Sequence, residues 1–249
     1  MLKEERHQAI LNELGIHNRI LLTDMARLLQ VSVDTIRRDI TELQQAKKLK
    51  KVHGGALALG FNTYSPTAGN IYALEKKSRI AQKALTLIEA DQVILLSGGT
   101  TNLELARRLP SKLPLCCFTP SLPIALQLLG KPQVEVHFIG GRLSRDSQIA
   151  LGGSAINTLS DIRVDLCFLG THSIHPTEGL TEFDWEIVQL KKAMMQRASK
   201  VISPSISDKL GSSQRYRICG VEALDVLITE LEPEDPQLEA YRNKNIQIL

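Results

Sequence analysis

The first fifty residues carry the apolar spacing of three short helices. Each segment repeats apolar residues at intervals of three or four, which turns one face of a helix inward. We expect Gly15 to end the first helix and Thr23 to cap the second, because glycine favours helix C-termini and threonine favours N-caps. The apolar stripes are Ile10, Leu11 and Leu14; Met25, Leu28 and Leu29; and Ile36, Ile40 and Leu43.

The third helix has a polar face suited to DNA. Only a short turn separates it from the second helix, as in a helix-turn-helix. Ser32 is the predicted N-cap, and Thr35, Arg37, Arg38 and Thr41 are predicted to face solvent. Arginine holds guanine edges bidentately or binds phosphate, and the first half of such a helix enters the major groove. The alternative is a three-helix module whose basic face binds another protein.

A basic ribbon follows this helix in KKLKKVHGGA. Lys48, Lys50 and Lys51, with Lys47 before them, predict a phosphate-contacting wing. His53 either contacts a phosphate or packs the Gly-Gly turn, and the packing role is favoured. The first fifty-five residues hold ten Lys/Arg and seven Asp/Glu, which accounts for the whole net charge of +3. This asymmetry indicates nucleic acid as the partner of the N-terminal segment.

The rest of the chain alternates short apolar runs with helical segments. Residues 57–72 lose helical periodicity and collect Gly, Asn, Ser and Pro, which predicts a linker between domains 1–56 and 73–249. Alternating strands and helices predict a mostly parallel sheet, so the fold class is α/β behind an N-terminal winged helix-turn-helix. The predicted strands are VILLS, LCCFT, VEVHFIGG, VDLCFLGT, KVISPS and DVLITE.

Polar residues collect where these strands end, and ligands bind at that edge of a parallel sheet. Ser97 and the Gly98–Thr101 turn lead from a strand into a helix, which is how backbone N–H groups hold an anion. The spacing lacks the lysine of a P-loop and the glycines of a dinucleotide site. The predicted anion site comprises Ser97, Gly98, Gly99, Thr100, Thr101, Gly140, Gly141, Arg142, Gly170, Thr181, Lys191 and Lys209.

No catalytic, metal-binding or cofactor motif is expected. The four cysteines form no CxxC pair and are predicted to be reduced core residues of a cytoplasmic protein. His172 and His175 lack a third ligand nearby and predict a turn rather than a metal site. No apolar run approaches a membrane span. The alternative function is a sugar-phosphate isomerase with a DNA-binding module, whose base would come from Glu182, Asp184 or Glu186.

Two sets of motifs carry a family resemblance over nearly the whole chain. TIRRD followed by KKVHGGA resembles the winged helix-turn-helix of DeoR-family bacterial transcription regulators. SGGTT, TPSLPIA, IGGRL, LGGSAI, GLTEFDWEIVQLKKAM and ISDKLG, in that order, resemble the family's sensor domain. The resemblance implies a fold like that of sugar-phosphate isomerases and a phosphorylated sugar or related metabolite as effector. It also implies a homo-oligomer, a dimer or tetramer, that represses a carbohydrate operon by binding double-stranded operator DNA.

Four positions depart from the family pattern. Lys47 stands where the family usually has a glycine at the end of the recognition helix, which predicts a different path into the wing. Ser97 replaces an acidic residue, Pro120 an asparagine and Ile206 an aspartate. The last three remove polar groups suited to sugar hydroxyls, whereas the threonines and lysines suited to phosphate are retained. We therefore expect an altered sugar end of the site beside an intact phosphate end.

Overall fold

The computed structural model describes residues 1–17, 19–58 and 71–249. The chain divides into two units, Met1–Ala73 and Leu74–Leu249. Most of the predicted linker, 57–72, lies outside the described residues. Within the described part of the chain, no helix is both long and apolar enough to cross a membrane.

The first unit is a winged helix-turn-helix. Three strands form an antiparallel sheet in the order β1-β3-β2, and β2 and β3 form the wing. Ile36, Ile40 and Leu43 are buried in its core, as the apolar spacing predicts. The elements are α1 (Lys3–His17), β1 (Arg19–Leu21), α2 (Leu22–Leu28), α3 (Val33–Gln45), β2 (Leu49–Val52) and β3 (Gly55–Ala58).

Two predicted helix boundaries are wrong. Gly15 lies inside α1, and a Cβ there would come within 2.5 Å of the Tyr72 ring, so this glycine permits close packing rather than ending the helix. Thr23 lies inside α2, because β1 runs directly into the helix and Leu21 occupies the N-cap position. The Leu22 N–H donates to the Gly54 carbonyl at 2.9 Å. The sequence predicted that Thr23 would accept an N–H at the start of α2. The wing turn supplies this acceptor instead.

Lys47 closes α3 in the conformation that favours glycine. Its φ is 55°, in the left-handed region. The Lys47 N–H donates to the Gln44 carbonyl and the Lys48 N–H to the Leu43 carbonyl, both at 2.9 Å, which is the Schellman pattern. The chain therefore leaves α3 through the left-handed conformation that a glycine would adopt, although the residue here is lysine. The predicted change of path into the wing is wrong.

A residue with a side chain is strained in the left-handed region, whereas glycine is not. Lys47→Gly should therefore stabilise the first unit. The expected gain in the free energy of unfolding is about 0.5–1 kcal/mol, measured by urea denaturation. Ala46→Gly is the matched control, since Ala46 has φ −74° and gains nothing from glycine. A Lys47→Gly variant no more stable than the parent would show that the backbone at Lys47 carries no strain.

The second unit is built on a seven-stranded parallel sheet, which confirms the predicted α/β fold. The strand order is β15-β14-β12-β9-β4-β5-β6. The helices are α4 (Leu74–Leu85), α5 (Thr100–Arg108), α6 (Leu122–Leu128), α7 (Gly153–Ser160), α8 (Trp185–Met195) and α9 (Glu239–Arg242). The sheet strands are β4 (Val93–Leu96), β5 (Leu115–Thr119), β6 (Val134–Phe138), β9 (Val164–Phe168), β12 (Ala198–Pro204), β14 (Val226–Ile228) and β15 (Gln247–Ile248).

Two small antiparallel sheets and the last parallel strand, β15, were not predicted. Their strands are short, so periodicity over so few residues gives little signal. The segment Gly179–Glu182, which is not among the predicted strands, is itself a strand, and this places Thr181 and Glu182 in a sheet. The additional strands are β7 (Arg142–Leu143), β8 (Ala150–Leu151), β10 (Ser173–His175), β11 (Gly179–Glu182) and β13 (Tyr216–Cys219).

Candidate DNA-binding surface and effector site

The recognition helix begins at the predicted cap. The Ser32 hydroxyl accepts the Thr35 N–H at 3.1 Å, and the hydroxyls of Ser32 and Thr35 share a hydrogen bond of 2.8 Å. The cap satisfies one of the open N–H groups at the start of the helix. Its two hydroxyls therefore fix the end of α3 that a helix-turn-helix inserts into the groove.

The two arginines of α3 occupy different positions around the helix. At 3.6 residues per turn, Arg38 lies almost opposite the buried stripe, while Arg37 lies on the flank. Both side chains are exposed. The Arg37 guanidinium is paired with Asp34, one turn earlier. Arg38 therefore points most directly away from the core, and Arg37 is held to its own helix.

The wing is attached to the recognition helix through Lys51. Its ammonium donates to the Thr41 hydroxyl at 2.9 Å, and its backbone N–H donates to the Gln44 side-chain oxygen at 2.9 Å. Lys48 and Lys50 are exposed. Lys51 therefore positions the wing, while Lys48 and Lys50 present their charge to solvent. His53 is exposed in the wing turn, so the favoured interpretation, a ring packed into that turn, is wrong.

A buried ion pair holds α1 against α3. Asp39 is only 2 % exposed, and it accepts hydrogen bonds from Arg6 Nε at 2.8 Å and Nη2 at 3.0 Å. His7 Nε2 lies 3.2 Å from the same carboxylate. The sequence interpretation missed this contact, although Asp39 lies beside the apolar stripe at the i+3 position from Ile36 and its burial is readable from that spacing.

At the candidate effector site, a hydrogen bond joins the turn after β4 to the end of β9. Gly99 has φ 110°, a conformation that side chains rarely adopt, and it leads into α5. The Gly170 N–H donates to the Ser97 hydroxyl at 2.7 Å. A Cβ on Gly170 would lie 2.5 Å from the Gly98 carbonyl oxygen, so the glycine is needed for this close approach.

Ser97 connects the turn after β4 to the end of β9. Its side chain is buried, and besides the Gly170 N–H its hydroxyl accepts the amide of Asn102 at 3.2 Å. Asn102 is fully buried and also donates to the carbonyls of Ser97 and Phe168, at 3.1 and 2.8 Å. Asn102 was missed in the sequence because an asparagine inside a helix gives no sign of bridging two strands.

Three lysines from separate elements approach the same region. The Lys191 ammonium donates to Glu182 at 2.8 Å, and both side chains are buried. The Lys209 ammonium donates to the Thr171 carbonyl at 2.7 Å. Burial, together with the charge of Lys191, lowers the pKa of Lys209 to about 8.

Lys77 on α4 is the third of these lysines. Burial, and then the charge of Lys209, lowers its pKa to about 7. Sequence interpretation missed Lys77, since an amphipathic helix gives no reason to place a lysine on its buried side. The result is a concentration of ammonium groups close to the ends of the parallel strands.

The remaining predicted effector residues divide into two groups. Thr100, Thr101 and Thr181 are buried, and the Thr181 hydroxyl accepts the Gln214 N–H at 2.7 Å. Gly140, Gly141 and Arg142 are exposed, and Arg142 pairs with Glu186 at the start of α8. The lysines and the threonines thus belong to the interior, whereas Arg142 lies on the surface.

The residues considered for other chemistry have structural partners. Asp184 caps α8 by accepting the Glu186 N–H at 2.9 Å, as its position at a helix start suggests. His175 Nδ1 accepts the Glu178 N–H at 3.3 Å, which forms the predicted turn. All four cysteines are free thiols, and Cys117 and Cys167 are buried.

Comparison with known proteins identifies both parts of the chain. Residues 6–60 match the DeoR-like helix-turn-helix domain, and residues 73–231 match the DeoR C-terminal sensor domain. The chain is 32 % identical to the HTH-type transcriptional regulator GolR of Listeria innocua, over 92 % of this chain and 91 % of GolR. It is 31 % identical to the HTH-type transcriptional repressor GlcR of Bacillus subtilis, over 100 % of this chain and 96 % of GlcR.

Solved structures show a more distant similarity. Ribose 5-phosphate isomerase A of Methanocaldococcus jannaschii is 17 % identical, with a TM-score of 0.39 over 54 % of this chain and 53 % of that chain. The curated relatives are named as regulators and repressors rather than enzymes. The chain therefore belongs to the DeoR family of helix-turn-helix transcription regulators.

Proposed function

We propose that this protein is a repressor of a carbohydrate operon and that a phosphorylated sugar or related metabolite releases it from DNA. Two further relatives, the deoxyribose operon repressor of Escherichia coli and a putative aga operon transcriptional repressor, carry names of this kind. The observation that carries the effector proposal is the clustering of three lysines: Lys209 lies close enough to Lys77 and to Lys191 for their charges to interact, and it is bonded to Thr171 beyond the end of β9. Ammonium groups, threonine hydroxyls and glycine backbone bind phosphate without a metal.

Hydrogen bonds and one peptide neighbour connect Lys209 to the turn. Lys209 is bonded to Thr171, whose neighbour Gly170 is bonded to Ser97 at the start of the turn. A lysine with a pKa near 8 is partly neutral before a ligand arrives, and a phosphate beside it favours the charged form. In this proposal Ser97 positions the turn and does not contact the effector. The groups around Ser97 then determine which effector binds.

On DNA, we propose that two copies of the chain place their α3 helices about 34 Å apart, one turn of the double helix. Arg38 reads base edges, Arg37 and Thr35 contact the adjacent backbone or bases, and Lys48, Lys50 and His53 contact phosphates. Effector binding shifts the oligomer away from this spacing, which requires a higher affinity for the released state than for the bound state.

Lys50→Ala should weaken binding to all DNA sequences alike, because the exposed lysine contacts phosphate rather than bases. The slope of log K against log salt concentration should fall by about one unit. Fluorescence anisotropy over a series of salt concentrations measures this slope. Lys112→Ala, an exposed lysine of the second unit, is the matched control and should leave the slope unchanged. A parental slope in Lys50→Ala would remove Lys50 from the DNA contacts.

A thermal-shift screen tests the effector proposal. Hexose and pentose phosphates are compared with the same sugars lacking phosphate and with inorganic phosphate alone. A ligand present at 100 times its Kd should raise the free energy of unfolding by about 2.7 kcal/mol. Stabilisation by the phosphorylated member of a pair alone supports the proposal. Equal stabilisation by both members, or by neither, contradicts it.

A further inference from the structure

Two neighbouring strands bring together three side chains of metal-binding types, none of which belongs to the proposed effector site. In the parallel pair β5–β6, Cys116 is opposite Glu135 and Phe118 is opposite His137. Because side chains alternate along a strand, these four residues share one face of the sheet. The Cys116 sulfur, a Glu135 carboxylate oxygen and a His137 ring nitrogen all lie within 4.8 Å of one another.

The cluster is held in place and open to solvent. The His137 ring stacks on Phe118, with 4.5 Å between ring centroids and 13° between the planes. His137 Nε2 lies 2.9 Å from Glu135 Oε1, and both side chains are exposed. Cys116 is partly exposed, in contrast to the buried Cys117 beside it. The stacked ring keeps one nitrogen directed at the carboxylate, and a cation from solvent reaches all three groups.

The donor set selects a class of cation. A thiolate, an imidazole and a carboxylate are the three ligand types of zinc, at about 2.0–2.3 Å from the metal. Calcium and magnesium prefer oxygen ligands alone and are disfavoured by the sulfur. Ligand atoms that share a tetrahedral ion lie roughly 3–4 Å apart. The three ligand atoms, which lie within 4.8 Å of one another, therefore need only small side-chain rotations to coordinate one ion.

We propose that Cys116, Glu135 and His137 bind a divalent cation of the zinc class, with water in the fourth position. The Cys116 thiol releases its proton to solvent as the sulfur–metal bond forms, so the bound site carries one thiolate and one carboxylate against the two positive charges. The ion ties β6, the edge strand of the sheet, to β5. The expectation of no metal site considered only residues close in sequence, whereas strand pairing assembles this one.

The cluster shares no residue with the proposed effector site. Cys116 and Glu135 are the second residues of their strands, whereas His137 is the next-to-last residue of β6, three residues before Gly140. Metal binding is measured by the thiolate charge-transfer band and effector binding by thermal stabilisation, so the failure of one proposal is distinguished from the failure of the other.

Titration of the full-length reduced chain with Co²⁺ tests the site. Thiolate ligation gives a sulfur-to-cobalt charge-transfer band in the near ultraviolet, and tetrahedral geometry gives strong visible bands, which Zn²⁺ should abolish by displacement. Cys116→Ser should lose the charge-transfer band, whereas Cys219→Ser, at the other partly exposed cysteine, should keep it. An unchanged band in Cys116→Ser, or no band in the parent chain, overturns the proposal.

Two further variants separate a three-ligand site from a single reactive thiol. His137→Gln and Glu135→Gln should each weaken Co²⁺ binding about tenfold or more while the chain remains folded by circular dichroism. Parental affinity in both variants would mean that Cys116 binds the metal alone, and the proposed site would be rejected.

Discussion

Replacing Arg38 by alanine should cost about 1–3 kcal/mol of binding free energy on operator DNA, which is the value of a bidentate base contact. Arg38 lies opposite the buried stripe of α3, and its side chain is exposed. The loss should be confined to operator DNA, because a base contact contributes little on other sequences. The measurement compares anisotropy titrations on an operator selected from random DNA with those on an unrelated duplex.

Arg37→Ala is the matched comparison for Arg38→Ala. It removes the same charge from the adjacent position, but Arg37 lies on the flank and pairs with Asp34. If Arg37 contacts phosphate, operator and unrelated DNA lose affinity equally. Equal losses on both duplexes for Arg38→Ala would instead assign Arg38 to the phosphates and remove it from sequence reading.

Lys191→Met should lower the free energy of unfolding of the second unit by about 3–5 kcal/mol, because it leaves the Glu182 carboxylate buried without its partner charge. The two groups are 2.8 Å apart, and both are buried. Chemical denaturation measures the loss. Lys192→Met is the control on the same helix, since Lys192 is only half-buried and should change stability by about 0.5 kcal/mol or less.

The double variant Lys191→Met/Glu182→Gln separates stability from ligand binding. Removing both charges eliminates the unpaired carboxylate, so the double variant should recover most of the lost stability. It should not recover stabilisation by a sugar phosphate, because the ammonium group remains absent. A double variant with the parental ligand response would exclude Lys191 from the effector site, and a Lys191→Met single variant as stable as the parent would contradict the buried ion pair.

The recognition helix was predictable because its determinants are local. The apolar spacing of Ile36, Ile40 and Leu43 defines the buried side, and Ser32 caps the helix as predicted. The parallel sheet was equally predictable from apolar runs alternating with helical segments. Local pattern failed where a distant residue supplied the partner, as at Gly15, which packs against Tyr72, and at Leu22, whose N–H is bonded to Gly54.

The proposed effector site shows the same division between local pattern and distant contacts. Its glycine turn and Lys209 were identified in segments that follow strands, and Lys191 was identified on the long helix. Lys77 was not, because its burial depends on how α4 packs in the second unit. Ser97 was singled out as a departure from the family pattern, but its contacts come from Gly170 and Asn102, which depend on the pairing of β4 with β9. Cross-strand partners of this kind are not encoded in the spacing along one strand.

Release from DNA tests the central claim most directly. A complex of the full-length chain with labelled operator DNA is titrated with a sugar phosphate found in the thermal-shift screen, and anisotropy reports the fraction of DNA that remains bound. The same sugar without phosphate, and inorganic phosphate alone, serve as controls. We predict that the sugar phosphate releases the operator while the unphosphorylated sugar does not. If the ligand stabilises the protein and operator affinity stays unchanged, the proposed control of DNA binding by a phosphorylated effector is contradicted.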